Sequence, residues 1–476
     1  MFFKDVLSSF STEILLMFII FINMVLSLFV KKNLHKFMKY FSICSIITAS
    51  LFISSNQVDP PYYAFNGNII SNSFSMFFKI LALGSGIMIA FLSRNFINRI
   101  RNKVFEYYNV LILGILSALI IICSNNFILL FVGLQMLSIA ISLMSTFVRD
   151  IGIKESVLSF ILKNIIFDGL FLFGILYLYL ITSSFNFNEI YNYINQNASS
   201  LGATISFINI VITLSILGKM LALNSNFYKN NSYSNCAFVT TFTPICYLNI
   251  LIKLSLIMKT SYSYIFDIFL SISSIIIISY GIYKVIKSKN VKEFFGNNTL
   301  VNIGFMLLGL LSTLSAYGIS TILYYLIVYT LTNIGLFSGL IFFNGSKNMH
   351  NLSDYEGLIY IRPYYTYALT ICLLSFASLP LSGGFISKLY LFSSLVRGNY
   401  FYIALLAIMF LLNLCCIFYP LNLIRSFFMR TPPAKNICNR AVAPKVLLYL
   451  SAFLIFMLFF YSNTLIQLCQ VIAYEM

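Results

Sequence analysis

Charge is what this chain of 476 residues has least of: 9% of its residues are Asp, Glu, Lys or Arg, against about 25% in an ordinary soluble domain. Tryptophan is absent and only two histidines occur. The nine cysteines (Cys44, Cys123, Cys236, Cys246, Cys372, Cys415, Cys416, Cys438 and Cys469) form no C-x-x-C spacing. A zinc cage or an iron–sulfur site therefore lacks its ligands. With 22 Gly and 9 Pro, no collagenous or low-complexity reading fits either. What is present is 60% hydrophobic and 17% aromatic side chain, at a mean hydropathy of +0.91. Such a chain is an integral membrane protein. The abundance of Phe, Ile, Asn, Lys and Tyr fits an AT-rich gene, as organellar genomes often are.

About 20 apolar residues cross the hydrocarbon core. On that measure the sequence predicts fourteen spans, near 11–30, 37–54, 71–93, 107–123, 127–147, 157–182, 204–223, 237–258, 264–283, 299–316, 319–343, 364–396, 400–424 and 446–470. The first is expected to be a retained span and not a cleaved signal. The twelfth is too long for a simple crossing and contains Leu379-Pro380-Leu381-Ser382-Gly383-Gly384, so a break is expected there.

Fourteen crossings put both termini on one face, A, and the odd-numbered connections on the other, B. Of the 30 basic residues, 22 fall on face B, in 31–39, 94–103, 149–154, 229, 284–292, 347–362 and 425–445. Face A has Lys4, Lys259 and Arg397, and five lysines remain inside spans. A miscount in the middle would exchange the sides of every later loop and destroy this bias. The positive-inside rule makes face B cytoplasmic or matrix. The net charge of +17 is thus mainly an orientation signal and not a nucleic-acid footprint. The tyrosine pairs Tyr62-Tyr63, Tyr107-Tyr108, Tyr324-Tyr325 and Tyr364-Tyr365 are expected to form the interfacial belt.

A charge inside the bilayer is expensive, about 2.5–3.5 kcal/mol on insertion scales, and marks function by default. Lys79 lies near a span end and is expected to snorkel. Lys163 and Asp168 are five apart in FILKNIIFDGLFLFG, a structural pair or a proton relay. Lys219 follows Gly218 and precedes a polar stretch able to unwind a helix, and Lys388 follows the double glycine of the twelfth span. A broken helix leaves backbone groups that only protein or water can satisfy, so each of these lysines is expected beside a hydrated cavity. Lys253 lies mid-span. A buried lysine can shed its proton as its surroundings change, whereas a guanidinium stays charged. Helix adhesion without proton movement is the alternative for all three. An interior formal charge of +4, from five Lys against Asp168, is too costly to leave ionised and unpaired, so some of these lysines are expected to be neutral at rest.

At these residues the chain resembles the antiporter-like membrane subunits of proton-pumping NADH:ubiquinone oxidoreductase, respiratory complex I, and among them the subunit 2 family. FEYYNVLILGILSALIIICSNNFILLFVGLQMLSIAISL, ESVLSFILKNIIFDGLFLFGILYLY, NNTLVNIGFMLLGL and RPYYTYALTICLLSFASLPLSGGFISKLYLF carry the likeness, over roughly 70–430. It implies an all-α membrane protein of about fourteen helices. Two inverted five-helix repeats (107–258 and 264–430) would follow N-terminal helices (1–70 and 71–106) and precede a last helix (431–476). Helices seven and twelve would be broken, at Gly218 and at Pro380, Gly383 and Gly384. It also implies a central proton path through Lys219, Lys253 and Lys388, with Lys163, Asp168 and Gln135 beside it.

The family's fifth-helix glutamate aligns with Gln135, which carries no charge. Asp168 is expected to replace that charge. Counted without gaps, the eighth-helix lysine falls near Asn249, one turn before Lys253, and NSNFYKNNSYSN replaces the family's aromatic and His motif. By resemblance, the enzyme is NADH:ubiquinone reductase with this chain as one subunit. FMN, iron–sulfur clusters and ubiquinone would lie elsewhere in the complex, with no cofactor or metal in this chain. Its partners would be other membrane-arm subunits and lipids, with protons as cargo, in the mitochondrial inner membrane with a bacterial plasma membrane as the alternative. A non-pumping structural subunit and a subunit of a multisubunit cation/proton antiporter are the competing readings.

Overall fold

The computed structural model describes residues 2–29, 44, 46–50, 62–97, 103–148, 151–258, 263–313, 315–344, 351–396, 400–429 and 442–475. The architecture is all-α apart from one antiparallel hairpin, β1 (Tyr62–Ala64) with β2 (Ile69–Ser71). Helices follow from the solvent. In hydrocarbon every backbone N–H and C=O needs a partner within its own segment, and a long apolar helix supplies them all. Among the described residues ten helices are long and apolar enough to cross a membrane.

One compact unit comprises residues 1–235, 245–267 and 474–476. It contains α1 (Phe2–Phe29), α2 (Ser73–Ile97), α3 (Val104–Cys123), α4 (Phe127–Thr146), α5 (Ile151–Thr182), α6 (Phe187–Gln196), α7 (Ala198–Leu221), α8 (Ser225–Asn230) and most of α9 (Tyr233–Met258). Small residues allow close approach. Gly133 leaves room for Ile121, and Gly174 for Ile212. The outer stripe of α5 shows large apolar side chains such as Leu158, Ile166 and Leu180, the surface that lipid tails would cover.

The second unit comprises 236–244 and 268–473. It contains most of α10 (Ser263–Lys287), then α11 (Val291–Leu310), α12 (Ala316–Asn344), α13 (Leu358–Ile361), α14 (Pro363–Phe376), α15 (Gly383–Leu395), α16 (Tyr400–Met429), α17 (Val442–Phe460) and nearly all of α18 (Ser462–Tyr474). α12 packs on α17, α15 and α14. Gly335 and Gly339 of α12 meet Cys372, Ser451 and Leu369.

Several expectations change. Most of the span expected at 37–54 lies outside the described residues. The fourteenth stops at Phe460, and a separate helix, α18, follows a turn at Tyr461. The tenth begins at Val291, and its lysine Lys292, expected in a loop, is buried. The connection after the sixth span holds α6, whose buried face is Phe187, Ile190 and Ile194. Tyr107, Tyr108, Tyr324 and Tyr325 are buried and form no belt. Tyr107 donates to Asn235 Oδ1 at 2.8 Å, and Tyr325 to Asn302 Oδ1 at 2.7 Å. A buried phenol needs a partner for its hydroxyl, and neighbouring helices provide one more firmly than an interface would.

Candidate functional site

Two helices are interrupted, at Ala222–Asn224 and at Ala377–Ser382, and each interruption has a lysine beside it. The seventh span runs as α7 to Leu221, turns through Ala222–Asn224 and resumes as α8. Gly218 is therefore not the break itself but a point of close approach inside α7. A Cβ there would collide with the ring of Phe167 on α5. That contact brings the polar residues of α5 against α7. Asp168 and Lys219 form a buried ion pair. Lys163 pairs with neither of them: its Nζ donates to Oδ1 of Asn224 in the break, at 2.8 Å. The i, i+5 spacing of Lys163 and Asp168 thus places both side chains on the α7–α8 segment. Gln135, at the position of the family glutamate, is half-buried on α4, and Ser138 donates to its backbone carbonyl.

Lys253 on α9 is buried and bonds to backbone. Its Nζ donates to the carbonyls of Ile122 at 2.6 Å and Ser124 at 2.9 Å. These flank the C-terminus of α3, where carbonyls lack intrahelical donors and the helix dipole favours a cation. Asn249, one turn earlier, is also buried.

In the second unit the break between α14 and α15 covers Ala377–Ser382 and contains Pro380. Gly383 and Gly384 open α15. Ser378 and Leu381 adopt left-handed backbone with φ of 56° and 67°, a conformation that costs a non-glycine residue about 1–3 kcal/mol and is tolerated where surrounding structure enforces it. At Gly384 a Cβ would strike the Ser375 carbonyl oxygen, and its N–H donates to Ser375 Oγ. Beside this break is a cavity of ≈ 10 Å³ lined by Asn302, Tyr325, Thr332, Ser375 and Ser387 among others, about the room that one water needs. Lys388 lies one turn into α15 and is buried. Its Nζ donates to Asn413 Oδ1 at 2.7 Å and sits 4.2 Å from the centre of the Phe305 ring. An amide oxygen and an aromatic face solvate the ammonium without neutralising it.

Lys79 does not snorkel. It is 2% exposed and its Nζ is 3.0 Å from Oε1 of Glu13 on α1. Glu13 is itself fully buried. Glu13 is thus a second buried carboxylate beside Asp168 to set against the buried lysines of the first unit. In the sequence Glu13 stands only two residues inside the first span, a margin where a charge ordinarily reaches water, so nothing set it apart as Asp168 was set apart. Among the described residues no cluster of three His, Cys, Asp or Glu side chains could hold a metal.

Comparison with known proteins finds the same fold in solved structures. NADH-quinone oxidoreductase subunit N of Dehalococcoides mccartyi is 25% identical over 444 residues, covering 89% of this chain and 90% of the relative. A chain of respiratory complex I from Thermus thermophilus superposes with a TM-score of 0.79 at 18% identity, covering 96% of this chain and 98% of its own. A chain of the Mrp complex from a Dietzia species also reaches 0.79, at 12% identity over 99% and 97%. The family described as "NADH:quinone oxidoreductase/Mrp antiporter, TM" matches residues 124–413, more than half of the sequence and the stretch that holds both broken helices, and the chain belongs to that family.

Proposed function

We propose that this chain is a proton-translocating membrane subunit of an NADH:quinone oxidoreductase, with the redox chemistry, FMN, iron–sulfur clusters and quinone in other subunits. The buried Asp168–Lys219 pair carries the reading. The family glutamate position holds Gln135, and Asp168 supplies the missing carboxylate from a different helix. At an effective dielectric near 20, opposite charges about 4 Å apart attract by about 4 kcal/mol. A lysine held by such a partner takes up a proton when the pair closes and gives it up when a neighbouring charge draws the partner away. Lys253 and Lys388, each held by neutral oxygens, are the further stations, and Lys163 and Asn224 border the first break.

The two five-helix repeats of the family are read as 107–258 and 264–430, each falling largely within one compact unit. The basic loops are read as facing the matrix or cytoplasm and the termini outward. The AT-rich composition favours the mitochondrial inner membrane, although the relatives are mostly bacterial; neighbouring membrane-arm subunits and lipid complete the surroundings.

The test uses the assembled complex in sealed vesicles, with protons moved per electron as the readout. Lys219→Ala and Lys388→Ala are each expected to lower that ratio; normal ratios in both would leave a structural subunit. The Mrp chain's equal TM-score of 0.79 keeps a cation/proton antiporter as a second reading. Purification decides between them, because the oxidoreductase would bring flavin and NADH oxidation with it.

A further inference from the structure

One buried group of charges joins the path above at Lys253, and its other members have no role in it so far. Glu13 on α1, Lys79 on α2, Cys123 at the end of α3 and Lys253 on α9 converge within the first unit. Glu13 Oε1 lies 3.0 Å from Lys79 Nζ and accepts from Cys123 Sγ at 3.2 Å, while Oε2 accepts from Thr12 Oγ1 at 2.7 Å. Lys253 donates to the carbonyls on either side of Cys123. Glu13, Lys79 and Cys123 all precede residue 124, where the family match begins.

The sidedness of the spans places this group. Glu13 is near the start of the first span, Lys79 near the start of the third, and Cys123 and Lys253 near the ends of the fourth and eighth. All four positions are on face A, the side away from the basic loops. Over the end of α3 lies a polar cap. The β1–β2 hairpin meets it where Ile69 pairs with Ser124, Asn125 donates to the Gly67 carbonyl, and Asn126 donates to Asn68 and Asn186.

We infer that Glu13, paired with Lys79, is the proton-release group for Lys253, and that protons leave this subunit toward face A between α1, α2 and α3. The inference rests on the reading that Lys253 carries protons. The Lys253 ammonium loses one N–H and becomes neutral. The Cys123 thiol, or a water in its place, passes a proton to Glu13 as it takes up the one from Lys253. The Glu13 carboxylate becomes a carboxylic acid and its attraction to Lys79 lapses. Release of that proton through the asparagine cap restores the carboxylate and the Lys79 ion pair, and one proton has moved from Lys253 to the outside. Helix packing alone gives little reason for such a pair, since replacing a buried ion pair by matched neutral side chains is often neutral or stabilising.

That principle also supplies the variant. E13Q/K79M removes both charges together and keeps the volume, so no lone charge is left buried. In the complex reconstituted into vesicles, its protons per electron are expected to fall by as much as in Lys219→Ala, with NADH-driven quinone reduction retained in uncoupled vesicles. A wild-type ratio in E13Q/K79M overturns the release branch whatever Lys219→Ala does, whereas a wild-type ratio in Lys219→Ala overturns the underlying axis. E13Q/K79Q is read by the same criterion should the first pair fail to assemble.

Discussion

Asp168 and Lys219 are worth more together than apart. Asp168→Asn alone leaves the Lys219 ammonium buried without a counter-charge, and breaking a buried pair from one side costs about 3–5 kcal/mol. The single variant is therefore expected to lower both the thermal midpoint of the assembled complex and its protons per electron. D168N/K219M is expected to recover most of the midpoint and none of the pumping, a split between stability and function that thermal unfolding and vesicle acidification measure side by side. Asp168 was conspicuous in the sequence because it interrupts a long apolar span at its centre. Glu13 was not, because it stands at a span margin where a charge normally reaches water. Only the packing of α1 on the end of α3 shows that this margin is covered.

At the scale of elements, the breaks depend on glycine where another chain segment comes close. Gly384→Ala would drive a methyl group into a backbone carbonyl, which cannot rotate away as a side chain can. Overpacking of this kind costs about 1–3 kcal/mol, and the upper end is expected, measured as lost assembly or a lower midpoint. Gly218→Ala meets a ring edge, so it is expected to be damaging alone and partly rescued by Phe167→Leu. Gly84 on α2 has nothing within 4 Å of its missing Cβ, and Gly84→Ala is expected to leave the midpoint unchanged or slightly raised, by the helix propensity of alanine. The twelfth break was legible from Pro380 and the glycines after it. The seventh was legible only as a region: no proline marks it, and it falls at Ala222–Asn224, past the glycine that seemed to announce it.

For the whole molecule, orientation is the property that the charges argue most directly. In a background with the exposed Cys44 and Cys415 replaced, a cysteine at Lys154, an exposed position, is expected to react with an impermeant reagent only from the cytoplasmic or matrix side. A cysteine at Tyr63, 47% exposed on the hairpin, is expected to react only from the opposite side. The reverse pattern would invert the positive-inside assignment and move the Glu13 cluster to the wrong face for release. The same labelling reports on the span count, because these two positions are separated by an odd number of expected crossings.

The sequence by itself determined that this is a polytopic helical membrane protein, roughly where its spans begin and end, and most of the lysines within them, Lys292 being the one it put in a loop. These are properties read along the chain, since the thickness of a bilayer sets span length and loop charge sets sidedness. The tertiary structure alone decided the partners: Asp168 with Lys219, Glu13 with Lys79, Lys253 with the end of α3, and Lys388 between Asn413 and Phe305. Those residues are far apart in sequence, and in a uniformly apolar chain no periodicity tells which helix faces which. Where small residues let two backbones approach decides it, and that becomes visible only once the helices are packed.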